Sequence, residues 1–410
     1  MILSARYIVP IDANFIQDGA ILIKGQFIRA VGDKKAIISS FPDEENEDLG
    51  EAVIFPGFIN AHTHLQYSLV EISSSPISFI EWLPQMIQKS NSLSYEDWEK
   101  GTQSGIEKLK KSGITTIADV SRYDASFKEL SSTQYNSFIF KEIIAPDEPK
   151  INEILDELKE KITQKKDGKI HIGVSPHSLY SLSLPALKRI SEFARMYYIL
   201  LMIHVSETKE EMELIINGTG PLKKVMSDRG LKLEYGYKET PVKILAKYNI
   251  LCPYTVVVHA ANITQEDISL LKQYKTSVVL CPRSNEFLKT GAAPVSDLVH
   301  SGVCLGIGTD SLASNKSFDM FEEMRTIKKI YPKIGYKSLL RMATINGANI
   351  LKISILTGSL TPGKYADINA VKIKNNLHGE KIDPYKYLCE EAQIEDIVLS
   401  MAGGRRSGEE

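Results

Sequence analysis

Apolar residues fall in short, dense, β-branched runs along the middle of the chain. Eight such runs stand between residues 57 and 310: 57–64 (GFINAHTH), 114–121 (ITTIADVS), 138–144 (FIFKEII), 170–175 (IHIGVS), 199–206 (ILLMIHVS), 254–260 (YTVVVHA), 277–282 (SVVLCP) and 303–310 (VCLGIGTD). Near-continuous apolar character suits parallel strands buried on both faces. The segments between them repeat apolar residues at helical spacing. Ile154, Leu155, Leu158 and Ile162 share one face, and Met320, Phe321, Met324 and Ile327 share another. Strand and helix alternating eight times predict an α/β fold, a (β/α)8 barrel of the TIM type over residues 56–360. A doubly wound sheet is the alternative. It is disfavoured by the strand count and by the lack of a G-x-G-x-x-G turn after the first strand.

The two ends follow a different pattern. RYIVPID, GAILIKGQFIRAVG and EAVIFP alternate apolar and polar positions between glycine turns, as antiparallel strands do. GSLTPGKYADINAVKIK and IEDIVLSM near the C-terminus read the same way. Residues 1–55 and 361–410 are therefore expected to form one small composite β-sandwich domain. The closing GGRRSGEE is expected to be loose.

Composition narrows the function classes. The 410 residues are 43% hydrophobic and 24% charged, with net charge −2, which describes an ordinary globular protein. No basic excess points to nucleic acid. The longest apolar stretch, Tyr197–Ile203, is far short of the ~20 residues of a membrane helix. Arg6, Pro10 and Asp12 interrupt what would be a signal peptide's apolar run, so cytoplasm is the expected location. The four cysteines form no C-x-x-C pair and read as small buried hydrophobes.

The chemistry concentrates at strand ends. His62 and His64 stand at i and i+2 of the first barrel strand, so both imidazoles project to one side. His204 ends the fifth strand, His259 the sixth and Asp310 the eighth. The chain has eight histidines, and four of them join Asp310 at the C-terminal mouth, where barrel enzymes place their sites. Imidazole and carboxylate together suit zinc or iron(II). His177, at the end of the fourth strand, faces the same mouth. Glu207 follows His204 by three residues, the place of a proton shuttle rather than a ligand. Its neighbours Glu210 and Glu211 read as surface glutamates opening a helix. His171, His300 and His378 read as structural.

The segments PGFINAHTHL, SPHSLYS, HVSE, VVHA, CPRSN and GTDSLASN resemble the amidohydrolase superfamily. Within it they are similar to the subgroup of nucleobase and nucleoside deaminases and triazine hydrolases. GAILIKGQFI and GSLTPGKYAD resemble that family's β-sandwich, so the resemblance covers almost the whole chain. It implies His62, His64, His204 and Asp310 as metal ligands, with Glu207, His259 and Asp310 catalytic. The ion implied is a single Zn2+, or Fe2+. The carboxylated lysine that bridges two metals in some relatives is replaced by Ser175 and His177, and Lys169 stands at the wrong strand end.

The resemblance further implies a small-molecule nucleoside substrate and, as is common for such barrels, a homodimer. Glu81, in SFIEWLP, matches a ribose-binding glutamate of S-adenosylhomocysteine and methylthioadenosine deaminases, and His177 their purine contact. The stretch KEIIAPDEP lacks the arginines expected for a homocysteine carboxylate. Arg122, Arg283 and its neighbour Ser284 are the candidates to hold a carboxylate placed elsewhere. That set is most similar to the aminodeoxyfutalosine deaminases of menaquinone biosynthesis. A triazine chlorohydrolase would use the same metal kit, and a non-catalytic barrel would be expected to lose ligands that this chain keeps. A nucleic-acid-editing deaminase is disfavoured by the absence of a P-C-x-x-C motif.

Overall fold

The computed structural model describes all residues except 123, 145–147, 165–167, 375, 376, 378 and 408–410, so His378 lies outside the described residues. Five strands open the chain: β1 (Ile2–Ile8), β2 (Ile16–Lys24), β3 (Phe27–Asp33), β4 (Asn46–Asp48) and β5 (Ala52–Pro56). Eight follow: β6 (Phe58–Thr63), β7 (Ile114–Ser121), β8 (Asn136–Ile143), β9 (Ile170–Pro176), β10 (Leu201–Val205), β11 (Thr255–His259), β12 (Ser277–Leu280) and β13 (Leu305–Ile307). Three come late: β14 (Ile368–Lys372), β15 (Ile397–Ala402) and β16 (Arg405–Arg406).

Strands β6 to β13 pair in chain order, each parallel to the next. Every residue of β6, β7, β10, β11 and β12 is buried. The alternation expected of a half-exposed strand is therefore missing, because helices cover the outer face and side chains fill the inner one. The barrel closes between β6 and the end of β13. Asn60 Nδ2 donates to Thr309 Oγ1 (2.7 Å), Thr309 N donates back to Asn60 Oδ1 (3.0 Å), and Thr309 N and Asp310 N both reach His62 O (3.0 and 3.1 Å). Gly308 permits this approach, since a Cβ there would lie 2.7 Å from both His62 Cβ and His62 O. The fold is thus a (β/α)8 barrel, and the doubly wound alternative is excluded.

The expected helices are present. Glu148–Gln164 carries Leu155 and Leu158 into the core, and Met320–Ile330 buries Met320, Phe321, Met324 and Ile327. Asp319 caps the latter by accepting from Phe321 N (2.9 Å) and Glu322 N (3.1 Å). Among the described residues no helix is long and apolar enough to cross a membrane.

The strands of both ends form one mixed sheet in the order β16-β15-β14-β5-β1-β2-β3, with β4 beside β1. Gly363 N bonds to Ile28 O (2.8 Å) and Ala366 N to Gln26 O (2.8 Å), which ties the β3 edge back towards the segment entering β14. The sheet thereby folds over its own core of Leu3, Ile21, Ile28, Ile54, Ile368 and Met401. Residues 403–407 correct the expectation of a loose tail, while 408–410 lie outside the described residues. Gly403 and Gly404, both with positive φ, turn the chain so that Met401 pairs with Arg406, and Arg406 forms an ion pair with Glu47.

Candidate functional site

All eight barrel strands end at one mouth, and the predicted ligands meet there. His62, His64 and His204 place their candidate ligand atoms within 4.8 Å of one another. His204 Nε2 lies 3.3 Å from His62 Nε2. Asp310 Oδ1 lies 3.6 Å from His64 Nε2 and 3.7 Å from His62 Nε2. Ligands about 2.0–2.1 Å from a shared tetrahedral centre would stand about 3.3–3.4 Å apart, so these four atoms outline a metal-sized site.

The surrounding bonds orient the donors. His204 Nδ1 donates to His177 O (2.9 Å), which leaves its Nε2 lone pair facing the centre. Ser284 Oγ (2.6 Å) and Ser314 Oγ (2.9 Å) both donate to Asp310 Oδ2, leaving Oδ1 for the histidines. Burial drives the imidazoles of His62, His64 and His204 below their ordinary range, His64 to about 3, so each is neutral and basic at its lone pair. Burial pushes Asp310 upward, but His62, His259 and His64 outweigh it and hold the carboxylate ionised. Neutral imidazole nitrogens converging around a buried carboxylate fit a divalent cation.

Three strand ends adopt left-handed backbone to aim these groups. Ser206 has φ 52°, His259 φ 69° and Asp310 φ 58°. Such turns cost on the order of 1 kcal/mol or more each in residues other than glycine. They are held by hydrogen bonds. Glu211 accepts from Ser206 N (2.9 Å) and Glu207 N (2.7 Å) through its two carboxylate oxygens. Glu211 is fully buried, which corrects its reading as a surface residue. The T-K-E-E segment shows an N-cap, and Thr208 does accept from Glu211 N (2.9 Å), but the Glu211 carboxylate points inward to the Ser206 and Glu207 amides, with Ser206 left-handed.

Glu207 is thereby placed with its carboxylate 3.7 Å from His259 Nε2, and burial raises it to about 7. His259 Nδ1 lies 2.8 Å from Asn285 Oδ1, a partner not foreseen from sequence. Glu207, His259, His204, His64 and Asp310 line a cavity that opens to solvent. Its apolar wall comes from the helix Phe79–Ser92, through Phe79, Trp82, Leu83, Met86 and Ile87. His177 lines the cavity next to His204, with Nδ1 within 2.9 Å of Ser178 Oγ and 3.1 Å of Ser181 Oγ. Arg122 lines the cavity as well, together with Glu142 and Arg229, which sequence reasoning did not single out.

Three expectations need correction. Glu81 does not line the cavity: it is exposed, and its Oε2 accepts from Ser78 Oγ (2.5 Å) in a capping box. The polar residues this helix offers to the cavity are Ser90 and Asn91. Arg283 does not line it either. Its Nη1 donates to Ser317 Oγ (2.9 Å) and its backbone N to Glu323 Oε2 (3.1 Å), so it ties a loop. Ser284 is fully buried beneath Asp310 and orients that carboxylate instead of meeting a substrate.

Comparison with known proteins agrees with this geometry. Residues 53–400 match the model of the amidohydrolase family. The 5-methylthioadenosine/S-adenosylhomocysteine deaminase of Syntrophobacter fumaroxidans is 29% identical over 407 residues, spanning 96% of this chain and 89% of that protein. The crystal structure of Helicobacter pylori aminofutalosine deaminase with methylthio-coformycin superposes with TM-score 0.87 at 21% identity, covering 99% of each chain. Atrazine chlorohydrolase TrzN of Arthrobacter aurescens, complexed with zinc, superposes with TM-score 0.84 at 19% identity, covering 99% of this chain and 94% of that one. At such identities the two structures show a shared fold. The family match spans the barrel and all four converging ligands, and the chain belongs to the amidohydrolase family.

Proposed function

We propose that the chain deaminates an adenine nucleoside hydrolytically, converting the 6-amino group to 6-oxo with release of ammonia, and that aminodeoxyfutalosine is its substrate. As a member of its family the chain is a hydrolase acting on C–N bonds. The observation that carries the nucleoside reading is that Glu207, His259, Asp310 and His177 line one cavity together with apolar side chains of the helix Phe79–Ser92. A flat heterocycle with polar edges suits such a mixed apolar and polar lining. The relative named for methylthioadenosine and S-adenosylhomocysteine supports the nucleoside class, as does the neighbour named aminofutalosine deaminase.

His62, His64, His204 and Asp310 would hold one divalent ion, Zn2+ by this reading. When bound, such an ion supplies the Lewis acidity that makes water a nucleophile near neutral pH. Glu207 delivers a proton to the ring nitrogen beside the carbon attacked. His259 accepts a hydrogen bond from the attacking hydroxyl at Nε2, its Nδ1–H being held by Asn285. Asp310 takes the hydroxyl proton as the tetrahedral centre forms and passes it to the amino group, which leaves as ammonia.

The corrected place of Glu81 removes the residue that sequence offered for ribose, and Ser90 and Asn91 take over as candidates. The name of the Syntrophobacter relative favours a second reading, in which methylthioadenosine or S-adenosylhomocysteine is the substrate. Ammonia release from aminodeoxyfutalosine, methylthioadenosine, S-adenosylhomocysteine and adenosine tests both. The first reading expects the highest kcat/KM for aminodeoxyfutalosine. Release from none of the nucleosides would overturn the nucleoside class, and chloride release from a chlorotriazine would replace it.

A further inference from the structure

A second cavity, of about 380 Å³, lies outside the catalytic one. It is formed by the end of β12, the helix Pro282–Phe287, the start of the helix Val295–Ser301 and the last turns of the helix Met320–Ile330. Leu280, Pro282, Ala293, Val295, Ile327 and Tyr331 give it apolar walls. Tyr331 offers only its ring, because its hydroxyl donates to Ala293 O. A mostly apolar cavity of this size with a few polar groups is the ordinary form of a small-molecule site.

Two donors mark what it would take. Asn285 is 4% exposed, and it lines this cavity and not the catalytic one. Its Oδ1 is committed to His259 Nδ1 (2.8 Å), and among the described residues its Nδ2 has no hydrogen-bond partner. A buried amide donor left open is a cost that a bound acceptor removes. Lys289, four residues on, is exposed and lines the same cavity. Among the described residues it makes no ion pair: Glu286 beside it is held by Lys329 (3.0 Å), and Glu81, whose charge is felt by Lys289, is bonded to Ser78. An ammonium and an amide N–H on an apolar cavity call for an acceptor-only group, which is a carboxylate.

The cavity is also wired to the catalytic residues. Asn285 holds His259 directly. Between Lys289 and Gly291, which both line the cavity, Thr290 O accepts from Asn262 Nδ2 (2.9 Å), and the same Nδ2 donates to Glu207 O (2.8 Å). We propose that this cavity is an effector site for a small monocarboxylate with an apolar body, and that its occupancy lowers turnover through Asn285. The carboxylate accepts from Lys289 and Asn285, and the apolar body fills the space between Val295, Ile327 and Tyr331. An Asn285 amide drawn towards the ligand holds His259 less firmly, so the effect falls on kcat.

Calorimetric titration of the full, metal-loaded chain with octanoate and with 1-octanol tests the site without reference to any substrate. Octanoate is expected to bind wild type about tenfold more tightly than 1-octanol or better, and Lys289→Met to remove most of that difference. Ala292→Trp and Ile330→Trp each place an indole on the cavity from an exposed position. Both are expected to abolish octanoate binding and to keep kcat without octanoate within about twofold of wild type. Saturating octanoate is expected to lower wild-type kcat for ammonia release about fivefold, with KM little changed, and to leave the tryptophan variants unaffected. Octanoate binding that survives both tryptophan variants, equal affinity for octanoate and 1-octanol, or inhibition that excess substrate relieves would overturn the effector site. Absence of turnover on every nucleoside would overturn the nucleoside reading instead, and the titrations would still decide the site.

Discussion

Replacing Glu207 by Gln isolates proton transfer from every other role of the site. The change removes the ionisable group and keeps nearly the same shape. The backbone N of residue 207 still donates to Glu211 (2.7 Å), and the metal ligands His62, His64, His204 and Asp310 are untouched. Glu207 sits 3.7 Å from His259 Nε2 in a buried site that holds its carboxyl near neutrality, at about 7. A group of that acidity is divided between acid and base forms at working pH, which suits a group that must give and regain a proton in each turnover. Positioned proton transfer is worth about 10²–10⁴ in rate, or about 3–5 kcal/mol. The variant is therefore expected to lose about a thousandfold in kcat for ammonia release, with KM changed less than threefold. Metal content measured by elemental analysis is expected to equal that of wild type. A kcat within threefold of wild type, with the metal in place, would refute the proton-shuttle role.

Gly308→Ala would force a Cβ to 2.7 Å from His62 O and 2.7 Å from His62 Cβ where the barrel closes, and neither atom can swing away. A loss of about 1–3 kcal/mol in chemical denaturation is expected, together with weakened metal retention. Ser284→Ala removes the 2.6 Å bond to Asp310 Oδ2, and metal affinity measured by chelator competition is expected to fall about tenfold to a hundredfold. Stability also carries a pH signature. Burial raises fully buried Glu323 to about 8, so between pH 4.5 and 8 the folded state keeps a proton that the unfolded state releases. Stability is therefore expected to fall as pH rises, by about 2 kcal/mol from this glutamate between pH 6.5 and 8. Urea denaturation of Glu323→Gln at those two pH values is expected to lack this part of the slope, and an unchanged slope would contradict it.

The barrel was legible because a strand buried on both faces leaves an uninterrupted apolar run, and eight of these recur in order. The metal cluster was legible for a related reason. His62 and His64 share a side through strand alternation, and His204, His259 and Asp310 each close an apolar run. Glu211 and Arg229 were not legible. Glu211 turns inward to accept from the amides of Ser206 and Glu207, whose left-handed turn at Ser206 (φ 52°) no local pattern announces. Arg229 enters the cavity only because its helix docks beside Phe79–Ser92. Glu81 misled through its neighbourhood: S-x-x-E is a complete explanation of that glutamate as a helix cap, and Ser78 takes its carboxylate. Arg283 and Ser284 stand where a site was expected, but side-chain direction sends the first to Ser317 and the second beneath Asp310.

X-ray absorption at the metal edge of the purified enzyme probes the convergence of His62, His64, His204 and Asp310 itself. Nitrogen and oxygen scatterers at about 2.0–2.2 Å, with imidazole multiple scattering, are expected around one ion per chain. A sulfur shell near 2.3 Å, or a preparation that binds no ion when these four residues are intact, would contradict the shared centre on which the chemistry depends.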